Sequence, residues 1–477
     1  MNDRKNESGA RPERKLFSAR PPNLSRRDRE QADVDVSDIQ GNVLRGYSHQ
    51  KAAYIFLRID DVEKAKALLA DMLPRVMSGS PWAQGEAPAT AIQVGFTYAG
   101  LERVGVPAEI LATFPDDFRG GMAARADALG DRGPSAPEEW EEGLGTGDAH
   151  VLVTVWAVDN AHLDAVREEL RDVGATAGAT TVINETRAEA LDQGRDHFGF
   201  FDGIAQPAVE GTGVAGRPGD GQPDGAGGWR DVATGEFLLG YVDEDGGLPD
   251  APAAPFDRNG TFMVYRKLHT HTAAFRRVLE EQGARYPGGP DKLAAKIVGR
   301  WPDGTPISVS PDAPDADVSS DPARINDFSY EDDPSGLRCP AGSHIRRVHP
   351  RDSEGFFGGR LTNRHRIIRR GRTYGPVLPE GAEDDGAERG LVFVCFNTSI
   401  WRQFETVQSL WVDDGDPFGQ GNDKDPLIGC PADDSGKMTI PGDLPFFLSP
   451  LPRFVTMRGG EYLFQPSINA LRWLSHL

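Results

Sequence analysis

The chain has 477 residues, with 73 Asp+Glu against 52 Lys+Arg and a formal net charge of −21. That length fits two units of ordinary domain size, and the acidic balance speaks against nucleic acid, whose affinity rests on Lys and Arg neutralising phosphates. Hydrophobic residues, 38 % of the total, suffice for a globular interior, yet no run approaches the roughly 20 apolar residues of a membrane-spanning helix. Small-molecule substrates are expected, with neither nucleic acid nor membrane as partner.

Residues 1–33 are polar, Arg-rich and without apolar period, which predicts a disordered segment. Ser25-Arg26-Arg27 begins like a twin-arginine export signal. The apolar stretch such a signal needs is replaced by Asp28-Arg29-Glu30-Gln31, so a cytoplasmic protein is expected. Order is expected from Val34 onward.

Residues 52–59 form an apolar run of strand length. Over 62–77 the spacing of Ala65, Leu68, Leu69, Met72 and Leu73 predicts a helix. Strands are predicted at 91–96, 151–158 and 180–183, with an amphipathic helix over 161–173. A β-α-β…β-α-β order of this kind indicates a ferredoxin-like α+β unit, assigned to residues 34–210. The Gly-, Pro- and Asp-rich stretch 211–228 reads as a boundary or long loop. A second set follows: a strand at 260–265, helices at 272–282 and 291–298, a Pro/Asp-rich loop at 302–335, a strand at 391–397, a helix at 399–410 and a strand at 462–464. The expected fold class is therefore α+β, two ferredoxin-like domains with antiparallel sheets and packed helices, the second over 229–477.

Cys339, Cys395 and Cys430 are too sparse for a disulfide framework or a zinc pattern and are expected as thiols of the core. His269 and His271 alternate on a strand end, a spacing compatible with a metal, but no acidic or third histidine ligand lies nearby in sequence, so they read as surface residues. His49, His150, His162, His349, His365 and His476 are single histidines in polar contexts, expected at the surface or as caps. His344 differs. Small residues precede it in Cys339-Pro340-Ala341-Gly342-Ser343-His344, leaving room for a bulky group, and Arg346 and Arg347 follow, suited to anionic groups such as propionates.

In His197-Phe198-Gly199-Phe200-Phe201-Asp202-Gly203, Asp202 is either a turn residue or a carboxylate poorly solvated between Phe200 and Phe201 and suited to proton transfer. In Arg366-Ile367-Ile368-Arg369-Arg370-Gly371, strand alternation would send one guanidinium inward, where it would stabilise developing negative charge. A basic surface strand is the other reading.

These motifs, in this order, resemble the dye-decolourising peroxidases over residues 38–474. Gly199-Phe200-Phe201-Asp202-Gly203 is similar to the family's GxxDG motif, a weak signal by itself. Its co-occurrence with Cys339-Pro340 through Ser343-His344-Ile345-Arg346-Arg347 and with the Arg366–Gly371 cluster makes the resemblance specific. Asp38-Ile39-Gln40-Gly41-Asn42, Gly299-Arg300-Trp301-Pro302 and Gly459-Gly460-Glu461-Tyr462 also have family counterparts. The resemblance implies haem b as cofactor, His344 as its iron ligand, Asp202 as the carboxylate acting on hydrogen peroxide, and Arg369, or its neighbour Arg370, as the accompanying arginine. It further implies Leu391 and Phe393 lining the peroxide side, and Asp425 accepting the other ring N–H of His344. Dyes, phenols or similar small reductants would be oxidised in one-electron steps, with Trp401, Trp411, Tyr374 and Trp473 as candidate relays. Alternatives are a haem-binding protein or a haem-iron-releasing enzyme without peroxidase turnover. A homo-oligomer is compatible with either.

Overall fold

Strand β1 (Lys51–Ile59) is buried on both faces, and its alternation divides the interior in two. Ala53, Ile55, Leu57 and Ile59 enter one hydrophobic cluster, while Ala52, Tyr54 and Phe56 enter another on the opposite face. β1 pairs antiparallel with β3 (Val151–Ala157) and β4 (Thr180–Glu189), and β3 pairs with β2 (Thr90–Phe96). The resulting order, β4-β1-β3-β2, is accompanied by helices Val62–Met72 and Asn160–Ala177. The side chains of Asp61 and Asp159 accept the N–H of Lys64 and His162 and so cap these helices. The computed structural model describes residues 34–83, 86–224, 226–353, 359–431 and 435–477. The expected disordered segment 1–33 and its twin arginines lie outside the described residues.

Past a two-stranded ribbon of β5 (Gln222–Pro223) and β6 (Trp229–Arg230), the same plan recurs. β7 (Thr261–Thr270) leads into helices Thr272–Gly283 and Gly289–Val298. The short β8 (Ile368–Arg369) and β9 (Arg372–Tyr374) then flank β10 (Gly390–Asn397). A hairpin of β11 (Gly436–Ile440) and β12 (Phe446–Leu451) precedes β13 (Val455–Gln465). The order β13-β7-β10-β8 repeats that of the first half, and β2 meets β13 through the Phe96/Phe464 pair to join both halves in one nine-stranded sheet. This is the predicted α+β class with two ferredoxin-like strand orders.

Element ends differ from the sequence reading for local reasons. The helix predicted over 62–77 stops at Met72, where Pro74 turns the chain into the 3₁₀ turn Leu73–Arg75. The helix predicted over 399–410 is π-helical at Trp401–Glu405 and Val407–Val412, a widening that apolar spacing does not reveal. β8 and β9 are too short to show a period of two.

Glu461 on β13 is buried, and its Oε1 accepts the Gly145 N–H at 2.6 Å. Burial pushes its carboxyl up to about 8 from an ordinary 4.5. Between those values the unfolded chain binds fewer protons than the folded one, so this group's contribution to stability is complete below 4.5 and is lost as pH rises toward 8. Glu461→Gln keeps the acceptor and cannot ionise. Calorimetric Tm values are expected to match the parent's near about pH 4 and to exceed them near about pH 8, by about 2–4 °C for each kcal/mol regained.

Candidate active site

Segments distant in sequence converge on one cavity of about 310 Å³. His344 opens the short helix His344–Val348, and its Nδ1 lies 2.9 Å from Asp425 Oδ2. Asp425 Oδ1 in turn accepts the N–H groups of Leu427 and Ile428 at 2.9 and 3.0 Å. Burial works against ionisation of Asp425, but the His344 ring, Arg347 and the backbone N–H groups outweigh it and hold the carboxyl below its ordinary range. A carboxylate on Nδ1–H fixes the tautomer and leaves the lone pair on Nε2 for a ligand.

Asp202 and Arg369 line the same cavity, with the guanidinium 4.0 Å from Asp202 Oδ1. The Arg369 N–H donates to Gln206 Oε1 at 2.9 Å, and its Nη2 donates to the Ala205 carbonyl at 3.1 Å. Arg370 points the other way and donates through Nε to the Asn42 carbonyl at 2.8 Å. Of the two arginines, Arg369 faces the cavity. β10 carries Leu391 and Phe393 to the same wall. Asp202 is presented by a turn with Gly199 at φ +93° and Gly203 at φ +76°. The space beside both Cα atoms is open, so the left-handed backbone, and not crowding, requires glycine there.

Three sequence expectations need correction. The Asp202 side chain is 52 % exposed, so the adjacent phenylalanines do not desolvate it. The shielded carboxyl of this loop is Asp196, which burial pushes up to about 7. Arg346 and Arg347 do not reach into the cavity for an anion: Arg346 bonds the carbonyls of Cys339 and Asp333, and Arg347 those of Trp411 and Asp423. His349 and His365, expected at the surface, line the cavity instead. His269 Nδ1 stands 3.2 Å from Glu388, and the described residues hold no group of three or more His, Cys, Asp or Glu placed for a metal ion.

Sequence reasoning quoted Arg300 in a family motif without a role and missed Arg351; with Arg366 they form a buried cationic wall. They bond to carbonyls and to Asn326 and make no ion pair among the described residues. Burial first, and then the charge of Arg351, push Arg300 and Arg366 down to about 9. Cations so placed call for an anionic ligand. An imidazole with a free Nε2, an apolar cavity and a wall of unpaired guanidiniums together fit haem, whose ring is apolar and whose edge carries carboxylates.

A family model described as the DyP dimeric alpha+beta barrel domain matches residues 38–190. Over 475 residues the chain is 32 % identical to dye-decolorizing peroxidase msp1 of Mycetinis scorodonius, covering 92 % of this chain and 88 % of that protein. The chain belongs to the dye-decolourising peroxidase family. It is also 31 % identical over 480 residues to multifunctional dye peroxidase DyP2 of an Amycolatopsis species, covering 93 % and 97 % of the two chains. A dye-decolorizing peroxidase solved in complex with 2,6-dimethoxyphenol superimposes with a TM-score of 0.79 at 26 % identity, over 93 % of this chain and 100 % of that one. The enzyme is a haem-dependent peroxidase.

Asp425→Ala removes the partner of the His344 ring and of two buried N–H groups. Haemin titration of the apoprotein, followed by absorbance, is expected to show affinity weakened about 10–100-fold, with Asp425→Asn in between.

Proposed function

We propose that His344 would hold the iron of haem b through Nε2, and that Asp202 and Arg369 act on hydrogen peroxide in the same cavity. The observation that carries this reading is that His344, held by Asp425, and the Asp202–Arg369 pair line one cavity. Arg300, Arg351 and Arg366 would hold the carboxylates of the cofactor. Bound haem supplies the redox chemistry, storing the oxidising power of peroxide and releasing it as single-electron steps. Asp202 takes the proton from the peroxide oxygen nearer the cofactor and returns it to the oxygen that leaves as water. Arg369, fixed by Ala205 and Gln206, stabilises the negative charge that develops as the O–O bond breaks. Leu391 and Phe393 give the cavity an apolar wall.

Phenols are the favoured reductants, supported by the phenol complex of the solved relative. For dyes too large for the cavity, Trp401 is the best-exposed of the candidate relays, at 56 %, whereas Trp411 and Tyr374 are buried. In this reading residues 34–210 form a domain bearing the GxxDG motif and residues 229–477 the domain that holds haem. A cytoplasmic location is supported by Cys339, Cys395 and Cys430 all being free thiols.

Asp202→Asn preserves the shape of the side chain and removes the base. In stopped-flow mixing with peroxide, the holoenzyme variant is expected to keep its Soret band and to react about 10²–10⁴-fold more slowly. An unchanged rate removes Asp202 from the mechanism.

A further inference from the structure

Asp196 has no part in the mechanism above, although it lines the same cavity six residues before Asp202. Its backbone N–H donates to the Phe200 carbonyl at 2.8 Å, and its own carbonyl accepts the Gly199 N–H at 3.1 Å. Its carboxyl Oδ1 accepts the Phe200 N–H at 2.9 Å. The far side of the turn is tied by the Asp202 N–H to the Gly194 carbonyl at 3.0 Å and by the Phe201 N–H to the Pro302 carbonyl at 3.1 Å. The Asp196 carboxyl therefore stands where a backbone acceptor would otherwise close the turn, so the position of Asp202 depends on it.

The neighbouring charges single out Asp202. Arg195, next in sequence, donates to the carbonyls of Gly199 and Pro302. His197, on the other side, is tied through Nε2 to the Tyr374 carbonyl at 2.8 Å, and burial lowers its basicity. Arg369 faces Asp202 and the Ala205 carbonyl. Elsewhere on the cavity wall, Arg266 is paired with Asp131, and Arg300, Arg351 and Arg366 are bonded around Asn326 and Asp220. The like charge that bears on Asp196 is that of Asp202, acting in the same direction as burial and against the N–H groups of Phe200, Phe198 and Gly199.

We propose that Asp196 is a positioning partner of Asp202: its carboxyl closes the turn that presents Asp202 to the cavity, and its charge is felt at Asp202 across that turn. This rests on the proposed role of Asp202 and deepens it. When Asp196 loses its proton, a second negative charge arises in the turn and competes with Asp202 for the field of Arg369. Only a proton moves, from Asp196 to solvent. The peroxide step thereby acquires an ionisation near 7, that of Asp196.

The test uses ferric holoenzyme and three variants. Asp196→Asn keeps the acceptor for the Phe200 N–H but cannot ionise, Asp196→Ala loses both functions, and Asp202→Asn removes the like charge. Infrared difference spectra without peroxide are expected to show a protonated-carboxyl band that titrates near 7 in the parent. That band should be lost in Asp196→Asn and should titrate at lower pH in Asp202→Asn. The peroxide rate of the parent should change several-fold through the same pH, a step absent from Asp196→Asn. Persistence of band and step in Asp196→Asn overturns the inference. So does a parent-like pH profile in Asp196→Asn with impairment in Asp196→Ala alone, which marks a purely structural residue. If Asp202→Asn reacts at the parent's rate but shifts the band, the role of Asp202 fails while the coupling of the carboxyls stands.

Discussion

A sheet buried on both faces imposes the constraint from which the site follows. In β10, Val392, Val394 and Phe396 are locked into the cluster that also holds Tyr54, Trp156 and Tyr265, so Leu391 and Phe393 have only the cavity face available. β8 pairs Arg369 with Cys395 and Ile368 with Phe396, and that register alone sends Arg369 to the cavity and Arg370 toward Asn42. A slip of one residue would exchange them. The sheet thus fixes which guanidinium faces the cavity before any electrostatic preference acts.

Charge is distributed against the average of the chain. The whole carries −21, yet the cavity wall gathers Arg300, Arg351, Arg366 and Arg369. Such a cluster is costly for the empty fold, since desolvation and mutual repulsion both weaken it. An anionic ligand offsets that cost, which couples the stability of the second half to occupancy of the cavity. Arg266 and Asp131, also on the wall, are a matched pair at 2.5 and 2.9 Å and make no such demand.

Much of this was legible in the sequence, and the limits have physical causes. The longer strands of both halves followed from apolar runs bounded by turn residues, because buried strands such as β1 and β10 write their pattern directly, whereas β8 and β9 do not. His344, Asp202 and Arg369 were legible only as motifs in family order; each taken alone also fits a surface or turn residue. The placement of Asp196, His349 and Arg351 on the cavity wall was not legible. Polar side chains carry no periodic signal, and the cover comes from elsewhere in the chain, as with Phe328 over Arg351. The expectation that Phe200 and Phe201 desolvate Asp202 failed for a related reason: adjacency along a turn is not adjacency in space, and Phe201 is itself exposed, leaving the carboxylate open to solvent.

The wall behind His344 shows how a short helix becomes a rigid mount. His344–Val348 spans barely more than one turn and gains little from its own hydrogen bonds. Arg347 crosses from it to the carbonyls of Trp411 and Asp423, ending the π-helical segment and bracing the loop that carries Asp425. Arg346 ties the same turn back to Cys339 and Asp333. The basic pair that the sequence suggested for an anionic ligand instead saturates backbone acceptors on both sides of the imidazole. The His344 ring and its carboxylate partner are therefore braced through the same two arginines, and in the proposed reading the anion-binding role falls to Arg300, Arg351 and Arg366.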